Sequence, residues 1–240
     1  MVEVVQLEDQ GIGNELQRTF DWMADRYLEQ TKHVSRHLYP RWMEEVMSAI
    51  REFQPRTVAD VGCGPGYLLE KLARAVPDAQ VVGVDYASRM LEHVPDTIPT
   101  VHQSLAEWSE DDDTAYDVTA MTFVLRDQPD PVTALTQLRR RLVRSGHLVL
   151  LETHTPEGWR RRGFDLYFHR WVPMWGDMHW THDWPGSRDD APYRRLSETH
   201  RRWAEACPLP DAFYAAGFRH AAQFRPSSDV VMLWVADNEP

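Results

Sequence analysis

A glycine-rich loop, Gly62–Gly66, follows a short apolar run and precedes a helical pattern. Such a loop exposes backbone N–H groups at a helix N-terminus, and its glycines let a ligand approach the backbone closely. Asp60 stands just before the loop, and Asp85 ends the next apolar run along the chain. A carboxylate at the position of Asp85 can accept hydrogen bonds from both ribose hydroxyls of a nucleoside. These residues predict a site for a nucleotide-type cofactor.

The spacing of the glycines distinguishes between cofactors. A dinucleotide-binding fingerprint would place its third glycine at position 67, where this chain has Tyr67. Asp60 would repel a pyrophosphate, but it would attract a cofactor that carries a cationic amino group and a sulfonium. We therefore predict S-adenosyl-L-methionine as the cofactor. A nicotinamide or flavin cofactor and a glycine turn without a ligand are the alternatives.

The elements that position the loop alternate between strands and helices. The predicted strands are 57–61, 80–85, 100–103, 116–123 and 147–152. The predicted helices between them are 67–76, 88–93 and 131–144, with Ser145 and Gly146 capping the last one. Continuously apolar strands that alternate with helices are typical of a parallel sheet covered on both faces. Two further runs, 220–225 and 230–236, predict a terminal antiparallel hairpin. The predicted fold is therefore α/β, a Rossmann-like seven-stranded sheet with a terminal antiparallel strand, N-terminal helices and an inserted helical or loop lid.

Residues 1–240 are predicted to form a single domain of four segments. The segments are an N-terminal helical cap at 14–53, a cofactor-binding core at 56–153, a substrate lid insertion at 155–207, and a C-terminal helix and hairpin at 208–240. Pro40 divides the cap into at least two helices, since proline interrupts a helix. The lid does not follow the alternation, and it is dense in tryptophan and histidine. This composition favours an aromatic substrate pocket, with ordinary core packing as the alternative.

Composition and charge limit the partners and the compartment. The chain has 37 acidic and 26 basic residues, and its net charge of −11 disfavours nucleic acid as a substrate. No apolar run approaches the roughly 20 residues of a membrane span, so membrane contact is at most peripheral. The acidic start lacks the features of a signal peptide, and Cys63 and Cys207 make no disulfide framework, which favours the cytoplasm. The predicted partner is a small-molecule acceptor, and a homodimer is left open.

The first motif, Val58–Gly66, resembles that of the class I S-adenosylmethionine-dependent methyltransferases. The resemblance implies that Gly62, Cys63 and Gly64 pack against the methionine portion of the cofactor. It also implies that Asp85 holds the ribose. The remaining residues assigned to the cofactor are Tyr27, Asp60, Tyr86, Met90, Ser104, Leu105 and Thr122, of which Tyr86 and Met90 flank the adenine. Ser104 departs from the family, which often has an acidic residue there, and Cys63 is interpreted as a small loop residue rather than a nucleophile.

Longer segments are similar to the ubiquinone/menaquinone biosynthesis C-methyltransferase family. The similar segments are 20–27, 121–127, 138–152, 164–173 and 191–198. The resemblance implies that Tyr27 closes over the cofactor. In the run after the fourth strand, Val124 and Asp127 stand where this family has a glycine and an asparagine, and residues 176–190 form a longer stretch than expected. Both departures lie on the presumed substrate side, so they leave the acceptor open.

Arg126 and Asp127 follow the fourth strand and are the first candidates for catalysis, because ligands of such sheets lie at the carboxyl ends of the strands. Asp127 could accept a proton from the acceptor, and Arg126 could hold a phenolate or enolate oxygen. His154, after the fifth strand, is the second candidate base. A surface ion pair and a loop histidine are the alternatives. The histidines and aspartates of 169–183 lack a familiar zinc spacing, so no metal is predicted.

The predicted function is S-adenosylmethionine-dependent transfer of a methyl group to a small aromatic or quinone-like acceptor, at carbon or at oxygen. One alternative is a natural-product O- or N-methyltransferase on the same scaffold. Another is a protein that binds the cofactor but has a non-transfer role.

Overall fold

The computed structural model describes residues 15–111, 113–206 and 209–239, and a seven-stranded sheet forms their centre. The strands are β1 (Thr57–Val61), β2 (Gln80–Asp85), β3 (Thr100–His102), β4 (Tyr116–Thr122), β5 (Leu142–Thr153), β6 (His220–Phe224) and β7 (Val231–Asp237). Their spatial order is β3-β2-β1-β4-β5-β7-β6. Strands β1 to β5 pair in parallel, and β7 is antiparallel to both of its neighbours. The predicted Rossmann-like α/β fold is confirmed.

The helices of the described residues precede, connect and follow these strands. Before β1 lie α1 (residues 15–23), a 3₁₀ turn (Ala24–Arg26), α2 (Tyr27–Val34) and α3 (Tyr39–Glu52). Within the sheet's connections lie α4 (Tyr67–Ala75), α5 (Ser88–Leu91), α6 (Leu105–Asp111), a 3₁₀ turn (Leu125–Asp127) and α7 (Pro131–Arg140). After β5 lie α8 (Trp159–Leu166), a π-helical turn (Tyr167–Trp171), α9 (Val172–His179), α10 (Pro192–Ala206) and α11 (Leu209–Ala215).

The sheet separates two apolar cores because successive side chains of a strand point to opposite faces. Along β5, Leu148 and Leu150 pack in one core with residues of α6, α7 and α11. Val149 and Leu151 pack in the other core with residues of α3 and α4. All four side chains are fully buried. The continuous apolar run of β5 is therefore explained by burial on both faces.

The boundary between α7 and β5 corrects the sequence analysis. The helix ends at Arg140, not at Arg144, and Ser145 and Gly146 do not cap it. They lie within the first part of β5, where the pairing with β4 shifts register. Ser145 has a left-handed φ of 66°, and its N–H donates to Asn238 at 2.9 Å. The amphipathic pattern extended past Arg140 because Leu142, which is buried, continues the helical spacing while it already pairs with Tyr116.

The predicted terminal hairpin is present, since β6 and β7 pair antiparallel. However, β7 lies between β5 and β6, so the last strand of the chain occupies an interior position. Burial accounts for this order, because Met232, Leu233 and Trp234 of β7 are buried, whereas most of β6 is exposed.

Helix α3 packs on one face of the sheet and follows a break in the N-terminal helices. Pro40 lies in its first turn, where the missing N–H of proline costs no helical hydrogen bond. The predicted division of the N-terminal helices therefore falls just before Pro40, at Arg36 and His37, which both have a positive φ. The buried face of α3 includes Trp42, Met43 and Val46 and packs on the sheet.

Helices α8 to α10 and the π-helical turn make up most of the described part of residues 155–207. Phe164, Phe168 and Tyr193 of this segment are buried. Cys207 lies outside the described residues, as do residues 1–14 of the predicted single domain, which include the first residue of the predicted helical cap. Among the described residues, no helix has both the length and the apolar character needed to cross a membrane.

Candidate active site

The glycine loop turns the chain between β1 and α4, as predicted. The N–H groups of Gly62 and Cys63 both donate to the carbonyl of Val84 in β2, at 2.7 and 3.1 Å. Gly62 has a φ of 73°, and a Cβ atom there would lie 2.3 Å from a methyl carbon of Val124. Gly64 also has a left-handed φ, of 54°. Both positions therefore require glycine, and the loop keeps its backbone open to a ligand.

Asp85 holds the loop against the end of β2. One of its carboxylate oxygens accepts the N–H of Gly64 at 2.8 Å, and the other accepts the N–H of Ala87 at 2.9 Å. A carboxylate can accept about four hydrogen bonds, so capacity remains for the hydroxyls of a ligand. The side chain is 7% exposed, and burial raises its pKa.

Asp60 carries a buried carboxylate without a partner. It is 1% exposed, and neither oxygen accepts a hydrogen bond from the residues that the structure describes. Burial, together with the neighbouring charge of Asp85, raises the pKa of Asp60 to about 7. A buried carboxylate of this kind gains most from a cation, because an opposite charge and hydrogen-bond donors together offset its desolvation.

A cavity of about 170 Å³ lies over the loop, and we call it the loop cavity. The predicted cofactor residues that line it are Tyr27, Gly62, Gly64, Asp85, Tyr86, Met90, Ser104, Leu105 and Thr122. Asp60 and Cys63 are not among its lining residues. The structure thus brings together residues from five separate parts of the sequence.

Cys63 and Ser104 are both engaged in local structure. Burial raises the pKa of the Cys63 thiol well above its usual value, which keeps the sulfur protonated and a poor nucleophile. Ser104 begins α6 as part of a capping box: Glu107 accepts hydrogen bonds from the N–H and the hydroxyl of Ser104 at 2.8 and 2.7 Å. This serine–x–x–glutamate spacing is a sequence signal for a helix start, although the sequence analysis predicts no helix at Leu105–Asp111.

A second cavity, of about 620 Å³, adjoins the loop cavity, and we call it the aromatic cavity. Its walls come from α1, α2, α3, α8, the π-helical turn and α10, and they include Phe20, Tyr39, Trp42, Phe164 and Tyr167. Five residues line both cavities: Leu16, Phe20, Tyr27, Phe123 and Asp127. A molecule in one cavity therefore lies next to a molecule in the other.

Asp127 is the only acidic side chain that lines both cavities among the described residues. It belongs to the 3₁₀ turn after β4, at the carboxyl end of the strand. Burial raises the pKa of Asp127 to about 6, while the charge of Arg126 opposes that rise. A carboxylate with a pKa near neutrality is suited to accept a proton.

Arg126 lines the aromatic cavity but is already paired with a residue that the sequence analysis missed. Its guanidinium donates to Glu152 at 2.7 Å, and its backbone N–H also donates to Glu152 at 3.2 Å. The side chains of Arg126 and Glu152 are 8% and 0% exposed. Glu152 interrupts the apolar run of β5, and that single charge was the available signal. The pair holds the turn that carries Asp127 against the end of β5.

The histidines lie away from this junction. His154 lines two other cavities, with Pro156 and Glu157, and its N–H donates to Val230. His169 is hydrogen-bonded to Ser197 at 2.8 Å, and His179 stacks on Trp175. The role of His154 as a base stays a prediction, and its position does not favour it over Asp127.

The sequence profile of the ubiE/COQ5 methyltransferase family matches residues 6–236. The chain belongs to the ubiE/COQ5 methyltransferase family. It is therefore an S-adenosylmethionine-dependent methyltransferase, which confirms the predicted enzyme class and cofactor. The residues present fit this cofactor, because the glycine loop, the free acceptor capacity of Asp85 and the unpaired carboxylate of Asp60 are complementary to a nucleoside with a cationic tail.

Two relatives indicate how far the similarity to members of this family extends. The demethylmenaquinone methyltransferase of Thermotoga maritima is 30% identical over 189 residues, which are 75% of this chain and 77% of the relative. The demethylmenaquinone methyltransferase of Listeria monocytogenes is 25% identical over 214 residues, which are 85% of this chain and 86% of the relative.

Solved structures support the fold. The plantazolicin methyltransferase BpumL, solved in complex with a monoazolic desmethyl substrate analogue and S-adenosylhomocysteine, aligns over 99% of this chain with a TM-score of 0.58 and 14% identity. Human N-acetylserotonin methyltransferase, solved in complex with S-adenosylmethionine, aligns over 91% of this chain and 58% of its own, with a TM-score of 0.54 and 13% identity.

Proposed function

We propose that this enzyme methylates a small, aromatic, quinol-like acceptor bound in the aromatic cavity, with Asp127 as the general base. The observation that supports the proposal is the position of Asp127, which lines both the loop cavity and the aromatic cavity. S-adenosylmethionine in the loop cavity would supply an electrophilic methyl group on a sulfonium. The names of the relatives, both demethylmenaquinone methyltransferases, agree with an aromatic acceptor of this kind.

The chain's own residues would act in three ways. Asp127 would accept the proton that an acceptor hydroxyl releases, which leaves a nucleophilic ring carbon or oxygen next to the methyl group. Tyr27 and Phe123 would hold the two reactants in contact, since both side chains line both cavities. Arg126 would raise the local positive potential at the acceptor oxygen while its pairing with Glu152 keeps it in place.

The shape and lining of the aromatic cavity favour an apolar, planar acceptor. Phe123, Phe164 and Tyr167 line this cavity, and aromatic walls that close around a ligand also exclude water. We propose that residues 155–207 act as the substrate lid, since α8, the π-helical turn and α10 contribute to these walls. The cytoplasmic location and a homodimer stay predictions from the sequence.

Replacement of the proposed base gives a direct test. Asp127→Asn should lower kcat by about a hundredfold or more, because the amide cannot accept the proton. The affinity for S-adenosylhomocysteine should stay within a few-fold of the wild-type value. Turnover would be measured with a panel of phenols, hydroquinones and naphthoquinols, and mass spectrometry and NMR of the products would distinguish carbon from oxygen methylation.

His154→Ala is the matched control, since His154 was the alternative base and lies on other cavities. It should retain most of the turnover. Unchanged turnover in Asp127→Asn, or a large loss in His154→Ala with Asp127→Asn active, would contradict the assignment of the base. Methylation of no aromatic acceptor in the panel would contradict the proposed substrate class.

A further inference from the structure

Four neutral polar groups in the lining of the aromatic cavity have no hydrogen-bond partner among the described residues. One, the hydroxyl of Ser228, belongs to a half-buried residue, and the other three belong to residues that are almost fully buried. These three are the side-chain amide of Gln30, the indole N–H of Trp42 and the hydroxyl of Tyr193. Their residues are 1%, 5% and 2% exposed. Buried polar groups are almost always hydrogen-bonded, so groups without a partner in the described part of the chain need an explanation.

Their placement points to a ligand rather than to local packing. Gln30 lies on α2, Trp42 on α3 and Tyr193 on α10, so three separate helices bring unpaired polar atoms to one cavity. The rest of the lining is largely aromatic and aliphatic. An amide buried there without a hydrogen bond is destabilising, so packing alone does not explain it. Gln30 is the strongest case, since neither its amide nitrogen nor its amide oxygen is bonded.

The cavity lining has five charged residues, of which Asp127 is the proposed base and Arg36 is exposed and lies over the ring of Tyr167. The other three are paired with residues outside the lining. Arg126 is paired with Glu152, Arg195 donates to Glu15 at 2.8 Å, and Asp229 accepts from Arg160 at 2.8 Å. An acceptor therefore meets mainly neutral donors and acceptors besides Asp127. This favours hydroxyl or carbonyl oxygens on the acceptor over carboxylate or phosphate groups.

We propose that Gln30 and Tyr193 are specificity-determining residues that hydrogen-bond a second oxygen of the methyl acceptor. This inference rests on the proposed function, in which Asp127 takes the proton of the first oxygen. An amide and a phenol can each donate and accept, so together they match a hydroxyl or carbonyl oxygen on the same ring system.

The test compares two ligands that differ by one oxygen. Calorimetry would measure the binding of 1,4-dihydroxynaphthalene, kept reduced, and of 1-naphthol to the enzyme saturated with S-adenosylhomocysteine. The wild type should bind the diol about tenfold more tightly, which is the size expected for one buried hydrogen bond. Gln30→Leu and Tyr193→Phe should each reduce this preference to about twofold or less, with unchanged affinity for S-adenosylhomocysteine.

Thr19→Val is the matched control. Thr19 also lines the aromatic cavity and is buried, but its hydroxyl already donates to the carbonyl of Glu15 at 2.9 Å. This variant should keep the wild-type preference. Thermal unfolding of Gln30→Leu is a second readout of folding, and its melting temperature should equal or exceed that of the wild type, because an unpaired buried amide is removed.

Failure of the inference can be separated from failure of the proposed function. If phenols or quinols are methylated but the wild type shows no preference for the diol, or Gln30→Leu and Tyr193→Phe retain it, the inference is overturned and the proposed function stands. If neither ligand binds and no aromatic acceptor is methylated, both are overturned.

Discussion

At the scale of single residues, two carboxylates at different places in the site have pKa values that desolvation raises toward neutrality. Burial raises the pKa of Asp60 to about 7 and that of Asp127 to about 6. Asp60 lies beside the glycine loop, where a cationic cofactor would keep it ionised. Asp127 lies where the two cavities meet, where an ionised carboxylate can take a proton. One type of side chain thus serves binding and chemistry according to what surrounds it.

The raised pKa of Asp127 predicts the acid side of the pH profile. As a base, Asp127 acts only when ionised, so kcat/KM should rise by about tenfold per pH unit below its pKa and level off above about pH 6. Steady-state kinetics over this range would measure the profile. The residual kcat/KM of Asp127→Asn should not rise with pH in this range. If kcat/KM of the variant still rises up to about pH 6, the titrating group is another residue.

The raised pKa of Asp60 predicts pH-dependent binding of the cofactor product. S-adenosylhomocysteine keeps the cationic amino group, so it should favour ionised Asp60. Below about pH 7, its dissociation constant should increase toward tenfold per pH unit, because Asp60 must first lose a proton. Calorimetric titrations at several pH values would show the slope.

Asp60→Asn tests the origin of that slope. The variant should bind S-adenosylhomocysteine more weakly above pH 7 and without the pH dependence. If the dissociation constant of the wild type does not change with pH, the placement of the cationic group at Asp60 is contradicted.

The same carboxylate makes the stability of the ligand-free wild type depend on pH. The folded state holds a proton on Asp60 that the unfolded state releases near pH 4, so the free energy of unfolding should fall as pH rises from about 4 to 7.

At the scale of elements, short connections after the strands do most of the positioning. The glycine loop follows β1, Asp85 ends β2, the Ser104 cap follows β3, and the turn with Asp127 follows β4. Parallel strands place all of these connections at one edge of the sheet. The Arg126–Glu152 pair adds a link between the connection after β4 and the end of β5.

The capping box of α6 gives a prediction at this scale. Ser104→Ala should lower the free energy of unfolding by about 1 kcal/mol, because it removes the side-chain cap of the helix. Its affinity for S-adenosylhomocysteine should change little, since the Ser104 hydroxyl is bonded to Glu107. Chemical denaturation and calorimetry would measure the two quantities. A large loss of affinity with unchanged stability would show that Ser104 binds the ligand directly.

At the scale of the whole molecule, the N-terminal helices and the sheet enclose the site from opposite sides. Leu16 and Phe20 of α1 and Tyr27 of α2 line both cavities. The side chain of Gln17 donates to the carbonyl of Tyr86 at 2.9 Å and so connects α1 to the end of β2. Binding in the loop cavity should therefore order segments that also form the aromatic cavity.

Hydrogen exchange would test this coupling. S-adenosylhomocysteine should increase protection in residues 15–34 as well as in the glycine loop, because both segments face the ligand. Strand β6 is the internal control, since it lies at the far edge of the sheet and should be unaffected. Protection confined to the glycine loop and the end of β2 would show that the N-terminal helices do not respond to the cofactor.

The sequence by itself determined the fold class and the cofactor. In residues 57–123, the strands, glycines and carboxylates follow one another closely along the chain. A loop between a strand and the next helix is formed by such neighbouring residues, so the local sequence is enough to predict it. The pattern therefore predicted β1 and β2, and together with the family resemblance it named nine of the residues that line the loop cavity. The end of α7 was predicted wrongly, because Leu142 satisfies both a helical and a strand pattern and only its pairing with Tyr116 decides between them.

Only the tertiary structure decided which residues share the aromatic cavity and how they are paired. Gln30, Trp42 and Tyr193 come from distant parts of the chain, and nothing in their local sequence marks them as neighbours. Glu152 of β5 pairs with Arg126 of the turn after β4, and β7 lies between β5 and β6. Such contacts depend on the packing of helices against the sheet, which is a property of the whole chain. The methyl donor could thus be inferred from one local motif, whereas the acceptor site exists only after the chain has folded.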